Sequence, residues 1–193
     1  MKYINIHITG APGSALLTHN EQLANSRNET ARAMKAITSK RTKTDDDHAE
    51  LARLEFIGGL YLTDDGHAGL PTWNIFRSFQ DGAKLNKLGK SVERGLIVAG
   101  ADILPIEHSG PTTTQGMWEA GCFDQRSVKV GQQKVTRTRP SFRDWSLTAA
   151  FIVDTEILRM DELEMVLDNA GRMVGIGDYR PRFGRFTATI EAA

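Results

Sequence analysis

Residues 3–9 alternate Tyr3, Asn5, His7 and Thr9 against Ile4, Ile6 and Ile8, the period of a strand with one buried face. Ala11-Pro12-Gly13-Ser14 breaks it. Residues 20–38 are polar and helix-permissive, with Leu23, Ala31, Met34 and Ile37 as sparse apolar points. Ser39 to Thr44 reads as an exposed link. Asp45, Asp46 and Asp47 suit a helix N-terminus, where acids favour the dipole, and that helix runs through Leu51, Leu54 and Phe56 toward Gly58-Gly59. Residues 60–69 read as a short hairpin turning at Asp64-Asp65-Gly66. Pro71 and Thr72 then open a helix with Ile75, Phe76, Phe79 and Ala83 on one face.

Residues 95–106 read as a buried strand pair or one bent strand, and 109–125 as loop. Val128, Val130 and Val135 flank a Gly131-Gln132-Gln133 turn, which predicts a protruding two-stranded ribbon over about 124–140. Trp145, Leu147, Ala149, Phe151 and Val153 recur at every second position and predict a strand. Asp161 with Glu164 matches a capping box ahead of a helix carrying Leu163, Val166, Leu167, Ala170 and Val174. Phe186, Ala188 and Ile190 close the chain as a strand. The ends thus read strand–helix–strand twice, which predicts an α+β, ferredoxin-like sheet of the RRM type over residues 1–193. It carries a helical insertion at about 18–69 and has helices on one face, the other being left for a ligand.

Composition adds an ordinary globular balance, 40% hydrophobic and 25% charged. No apolar run approaches a membrane span, so no membrane partner is expected. The single cysteine, Cys122, allows no intrachain disulfide and fits a reducing, cytoplasmic setting. A net charge of zero argues against a generic polyanion binder. The charges are segregated, however. Arg126 through Arg143 holds six basic residues and no acid. Such segregation builds a positive groove on a neutral protein.

The segment Gly175–Phe186 packs three glycines, three arginines and three aromatics between a helix and a strand. Arginines supply phosphate contacts, aromatics supply stacking surfaces and glycines admit a close backbone. Arg137, Arg139 and Arg143 share one parity of an extended segment with Phe142 among them, which suits tracking a phosphate backbone with a stacked base. Tyr179, Arg180, Arg182 and Arg185 make a similar set, and Lys84, Lys87 and Lys90 extend the groove. The alternative for each is a solvated, charge-protected edge or helix end. The histidines lack metal-ligand spacing, and no nucleotide-loop, dinucleotide or hydrolase motif appears, so no metal or cofactor is expected.

A chain of this layout that ends in Gly175-Ile-Gly177 and Arg180-Pro-Arg182-Phe-Gly-Arg185-Phe186 resembles the RAMP superfamily, which includes backbone and processing subunits of CRISPR effector complexes. Leu70-Pro71, at the start of a helix ending in basic residues, is similar to that family's first helix. The insertion and ribbon resemble the web and thumb of its backbone subunits. Asp178 and Pro181 stand where the family tends toward Gly, Ser and Arg. The whole chain also resembles a group of phage and prophage proteins, through Leu16-Leu17-Thr18-His19-Asn20, Arg137–Arg143 and Gly177–Phe186. The resemblance implies a non-catalytic binder of single-stranded RNA or DNA that assembles as a homo-oligomer or filament, with His19 and Asn20 in the binding set. Two alternatives remain. One is a protein-interaction module, either a virion component or an inhibitor imitating a CRISPR subunit. The other is a metal-independent ribonuclease using His19 as general acid or base.

Overall fold

The computed structural model describes residues 1–192, apart from the side chains of Val130, Gln133 and Ala192. The chain runs β1 (Lys2–Gly10), β2 (Leu16–Leu17), a 3-10 turn (Glu21–Ala24), α1 (Glu29–Thr38), α2 (Asp45–Gly59), β3 (Tyr61–Leu62) and β4 (Ala68–Pro71). It continues through α3 (Thr72–Lys84), α4 (Gly89–Gly95), β5 (Leu96–Ala99), β6 (Ile103–Pro105) and α5 (Thr114–Glu119). It ends with β7 (Phe123–Val130), β8 (Gln133–Phe142), β9 (Ser146–Val153), α6 (Met160–Asn169), a π turn (Ala170–Val174) and β10 (Phe186–Ala192). The architecture is mixed α/β with open antiparallel sheets.

The main sheet has the order β10-β1-β9-β5, and every neighbouring pair is antiparallel. Alternation decides its faces, because successive side chains leave a strand on opposite sides. Ile4, Ile6, Ile8, Leu147, Ala149, Phe151 and Val153 are all buried on one face. Helices α3 and α6 cover that face. Phe79 of α3 meets Phe151 and Phe186 with ring centroids 5.8 and 6.4 Å apart. The two helices approach closely because Gly82 carries no side chain: a Cβ there would stand 2.8 Å from the Ala170 nitrogen. The other face leaves Tyr3 and Ile97 exposed and joins His7 to Thr148 at 3.1 Å.

Several elements depart from the expected pattern. The segment 95–106 is two strands in different sheets, since β6 pairs with β4 rather than with β5. Thr72 holds the turn between them, its hydroxyl donating to the Ala101 carbonyl and its amide to that of Asp102. The expected loop at 109–125 contains α5, capped by Thr113, whose hydroxyl accepts from the Gly116 amide at 3.1 Å. Helix α6 starts one residue before Asp161, so its cap joins the Arg159 amide to the Glu162 carboxylate at 3.0 Å, and Asp161 with Glu164 does not form it. Asp45, Asp46 and Asp47 do open α2, where Thr44 and Asp47 make a reciprocal capping box. The ribbon forms as β7 and β8, in register at Arg126 and Arg137. Its base is stitched to the core by β2, which pairs Leu16 with Phe142.

The glycine-rich loop after the π turn folds back on β2. Ile176 donates to the Gly184 carbonyl, Asp178 to that of Leu17 and Gly184 to that of Ala15, each at 2.8 Å. These bonds occupy backbone amides that the sequence pattern left for a ligand. Gly177 (φ 81°) and Gly184 (φ 71°) both lie in the left-handed region. A Cβ on Gly177 would overlap the Leu17 carbonyl oxygen, and one on Gly184 the Ile176 carbonyl oxygen. The glycines therefore admit the chain's own backbone. Gly13 has a similar φ of 74° but open space around it. Replacing Gly13 with Ala is expected to cost about 1 kcal/mol, the backbone penalty alone. Gly184→Ala adds a clash and is expected to cost more than about 3 kcal/mol. Urea denaturation midpoints measure the gap, and equal losses would refute this account of the loop.

Candidate nucleic-acid interface

The arginines expected to line a groove are largely committed to carboxylates of the same chain. Arg137 donates to Glu55 of α2 at 2.6 Å, and the second oxygen of Glu55 accepts the Thr138 amide at 2.8 Å. Glu55 is only 3% exposed, so the ribbon base supplies the donors that its charge requires. Arg139, itself buried, pairs with Asp178 of the glycine-rich loop. Arg126 pairs with Asp124, and its guanidinium lies over the Phe183 ring at 4.7 Å and the Tyr179 ring at 5.6 Å. Tyr179 and Phe183 stack on each other at 5.7 Å. Phe142 is a correction: it is 1% exposed, packed edge-on to His108, and offers no face to a base. It stands opposite Leu16 of β2, which is also fully buried, so its side of the strand faces the core.

A cleft of about 270 Å³ opens where β2, the β3–β4 hairpin, α3 and the glycine-rich loop meet. Thr18 and His19 contribute from the end of β2, Tyr61 from the hairpin, Asn74 and Arg77 from α3, and Asp178 and Arg180 from the loop. Glu21 lines it too. Beside it, Asp81 accepts three cations: Lys84 at 2.7 Å, Arg180 at 3.0 Å and Arg77 at 3.4 Å. Partial burial would raise the Asp81 carboxyl, but the bonds from Lys84 and Arg180 and the charge of Arg77 outweigh it and hold it low. Three positive charges against one negative leave a local excess of two. One helical turn before Arg77, Trp73 is 63% exposed and stacks on Phe76 at 5.3 Å.

Three buried polar atoms at this junction have no hydrogen-bond partner: Thr18 Oγ1, His19 Nδ1 and Arg139 Nη1. Burial lowers the His19 pKa, Asp178 opposes that shift, and Arg137 reinforces it. Burial also raises the Tyr61 phenol. Asn20 is spent on the backbone, donating to the Leu60 carbonyl at 2.9 Å and accepting the Gln22 amide at 2.9 Å. It does not line the cleft.

The remaining expected residues scatter. Lys87 and Lys90 are exposed beyond the end of α3 and do not line the cleft. Arg182 is exposed at the loop tip. Arg185 turns its Nε to the Pro181 carbonyl at 3.0 Å and borders a separate depression with Met173. Arg143 lies by Trp145 and Asp144. Tyr61, Trp73, Asn74, Arg77 and Asp81 were not anticipated. The spacing Trp73, Arg77, Asp81, Lys84 on one helix face was the signal available for the α3 members. Among the described residues, no three His, Cys, Asp or Glu side chains group as metal ligands, and no helix is long and apolar enough to cross a membrane.

The depressed His19 pKa has a consequence for stability. The unfolded chain binds a proton near the ordinary value of 6.5, while the folded chain resists it. Stability is therefore expected to fall as pH drops below about 6.5 and to level off below the folded-state midpoint. His108, also lowered by burial, acts in the same direction. His19→Gln should make the decline in urea midpoint between about pH 7 and 5 shallower. An unchanged slope would show that His19 titrates alike in both states. No protein-family model matches the chain, and no curated protein matches it either.

Proposed function

We propose that the chain is a ferredoxin-like, RAMP-type domain that binds single-stranded nucleic acid without catalysing a reaction, as repeated subunits along the strand. The antiparallel order β10-β1-β9-β5, with α3 and α6 on one face, supports the fold reading. The observation that carries the functional reading is the cation excess around Asp81, beside a polar cleft and an exposed tryptophan. Arginines held by a shared carboxylate are ordered in advance and still carry net positive charge, so a phosphate meets them without much further ordering cost. Trp73 offers a ring face to a base next to them.

The unpaired edge of β10, bordered by an apolar groove with Leu167, Ala188 and Ile190, favours a second reading as a protein-assembly module. Nucleic-acid binding separates the two. Fluorescence anisotropy of a labelled 20-nucleotide strand should show log K falling linearly with log salt. Arg77→Gln and Arg180→Gln should each weaken binding and flatten that slope by about 0.7, the value of one lost single-strand phosphate contact. Arg137 and Arg139 are unsuitable for this test, because they neutralise Glu55 and Asp178. Retention of full affinity and slope in both variants would refute the assignment.

A further inference from the structure

The cleft beside Asp81 is not uniform in charge. Its rim toward Asp81 carries Arg77 and Arg180, which both line it, with Lys84 beyond them. Elsewhere its lining holds the carboxylates Asp178 and Glu21, together with neutral hydrogen-bonding groups on Thr18, Asn74 and Tyr61. A phosphate seated against that part would face two negative charges, whereas the arginine rim would attract it. An uncharged group bearing both donors and acceptors has the opposite preference. Thr18 adds a second, independent observation. It is 1% exposed, it lines the cleft, and its hydroxyl has no partner. A buried hydroxyl left unpaired is costly, so a ligand that pairs it offsets that cost.

We propose that this cleft takes one unstacked nucleobase carrying an exocyclic amine, while the Arg77–Asp81–Arg180 rim holds its flanking phosphate. The inference rests on the nucleic-acid reading above and names what that site selects. A carboxylate accepts from an exocyclic amine, as Asp and Glu do from cytosine N4, and an asparagine side chain can both donate to and accept from a base edge. Adenine and cytosine carry such an amine. Thymine and uracil carry none, and they bring carbonyl oxygens toward Asp178 and Glu21. Asp178 is paired with Arg139, and a carboxylate has acceptor capacity for more than one donor.

The test compares fluorescein-labelled 12-nucleotide strands of dA, dC and dT, and of A, C and U, by anisotropy at one salt concentration. The amine-bearing strands should bind about ten-fold tighter than dT or U, near the low end of one good base contact. Thr18→Val, which is nearly isosteric, should narrow that gap. Asn74→Ala should narrow it too, which covers the case in which the Thr18 variant alters the fold. Thermal melts identify that case. Equal binding of all six strands, or a gap unchanged in both variants, would overturn the base assignment while leaving the nucleic-acid reading intact. No binding of any strand, at low salt, would overturn the reading on which it rests.

Discussion

The backbone seam between residues 15–17 and the glycine-rich loop is the constraint on which the rest of the site depends. Asp178 and Gly184 donate to the carbonyls of Leu17 and Ala15, and Arg185 donates its amide to the Ser14 hydroxyl at 2.9 Å. The seam closes because residue 177 has no Cβ to meet Leu17, and the loop folds on itself because residue 184 has none to meet Ile176. Once closed, it fixes Thr18 and His19 at the end of β2 against Asp178. It also aims Arg180 back at Asp81 of α3, 99 positions earlier in the chain. β2 and the loop, from the two ends of the sequence, thus meet through main-chain bonds, and α3 joins them through the Arg180–Asp81 pair and the Ser78 hydroxyl, which donates to the Gly175 carbonyl at 2.8 Å.

Charge pairing then determines which basic residues remain available. A neutral chain with segregated charges permits either a free positive groove or an internally compensated one. The fold divides the difference. Around the ribbon base, Glu55, Asp124 and Asp178 each take an arginine. Around Asp81, one carboxylate serves three cations. Burial explains the contrast. Glu55 and Arg139 are almost wholly shielded, so leaving either alone would cost several kcal/mol, whereas the Asp81 group is partly wet and tolerates imbalance.

The strands and the two sheet-covering helices were legible because their periods are long enough to count. Residues 145–153 alternate for five apolar positions, and α3 repeats Ile75, Phe76, Phe79 and Ala83 on one face. Helix α5 was hidden because it spans six residues and buries only Met117, which gives no period to read. The site was legible in part. The glycine-rich loop was identified by composition, yet the role of its glycines was not, since a close approach by the chain itself and one by a ligand require the same residue. Arg137 with Glu55 and Arg139 with Asp178 are 82 and 39 positions apart, and no local rule joins them. Phe142 was misplaced for a related reason: parity relates it to its neighbours on β8, but the direction of the core depends on β2.

The ribbon base carries a tension that the surrounding structure resolves. Arg126 and Arg137 stand directly opposite each other in register, an arrangement of like charges that weakens a strand pair. Asp124 draws Arg126 toward Tyr179 and Phe183, and Glu55 draws Arg137 toward α2, so the two guanidinium groups are drawn to different partners. Arg139 continues the pattern, with its charge on Asp178 and 5.6 Å from the Tyr179 ring. The ribbon is therefore joined to the loop by one ion pair and by aromatic faces. Arg139 still has one buried donor without a partner. Asp178, which takes Arg139 of the ribbon and lines the cleft, is the side chain that the two share.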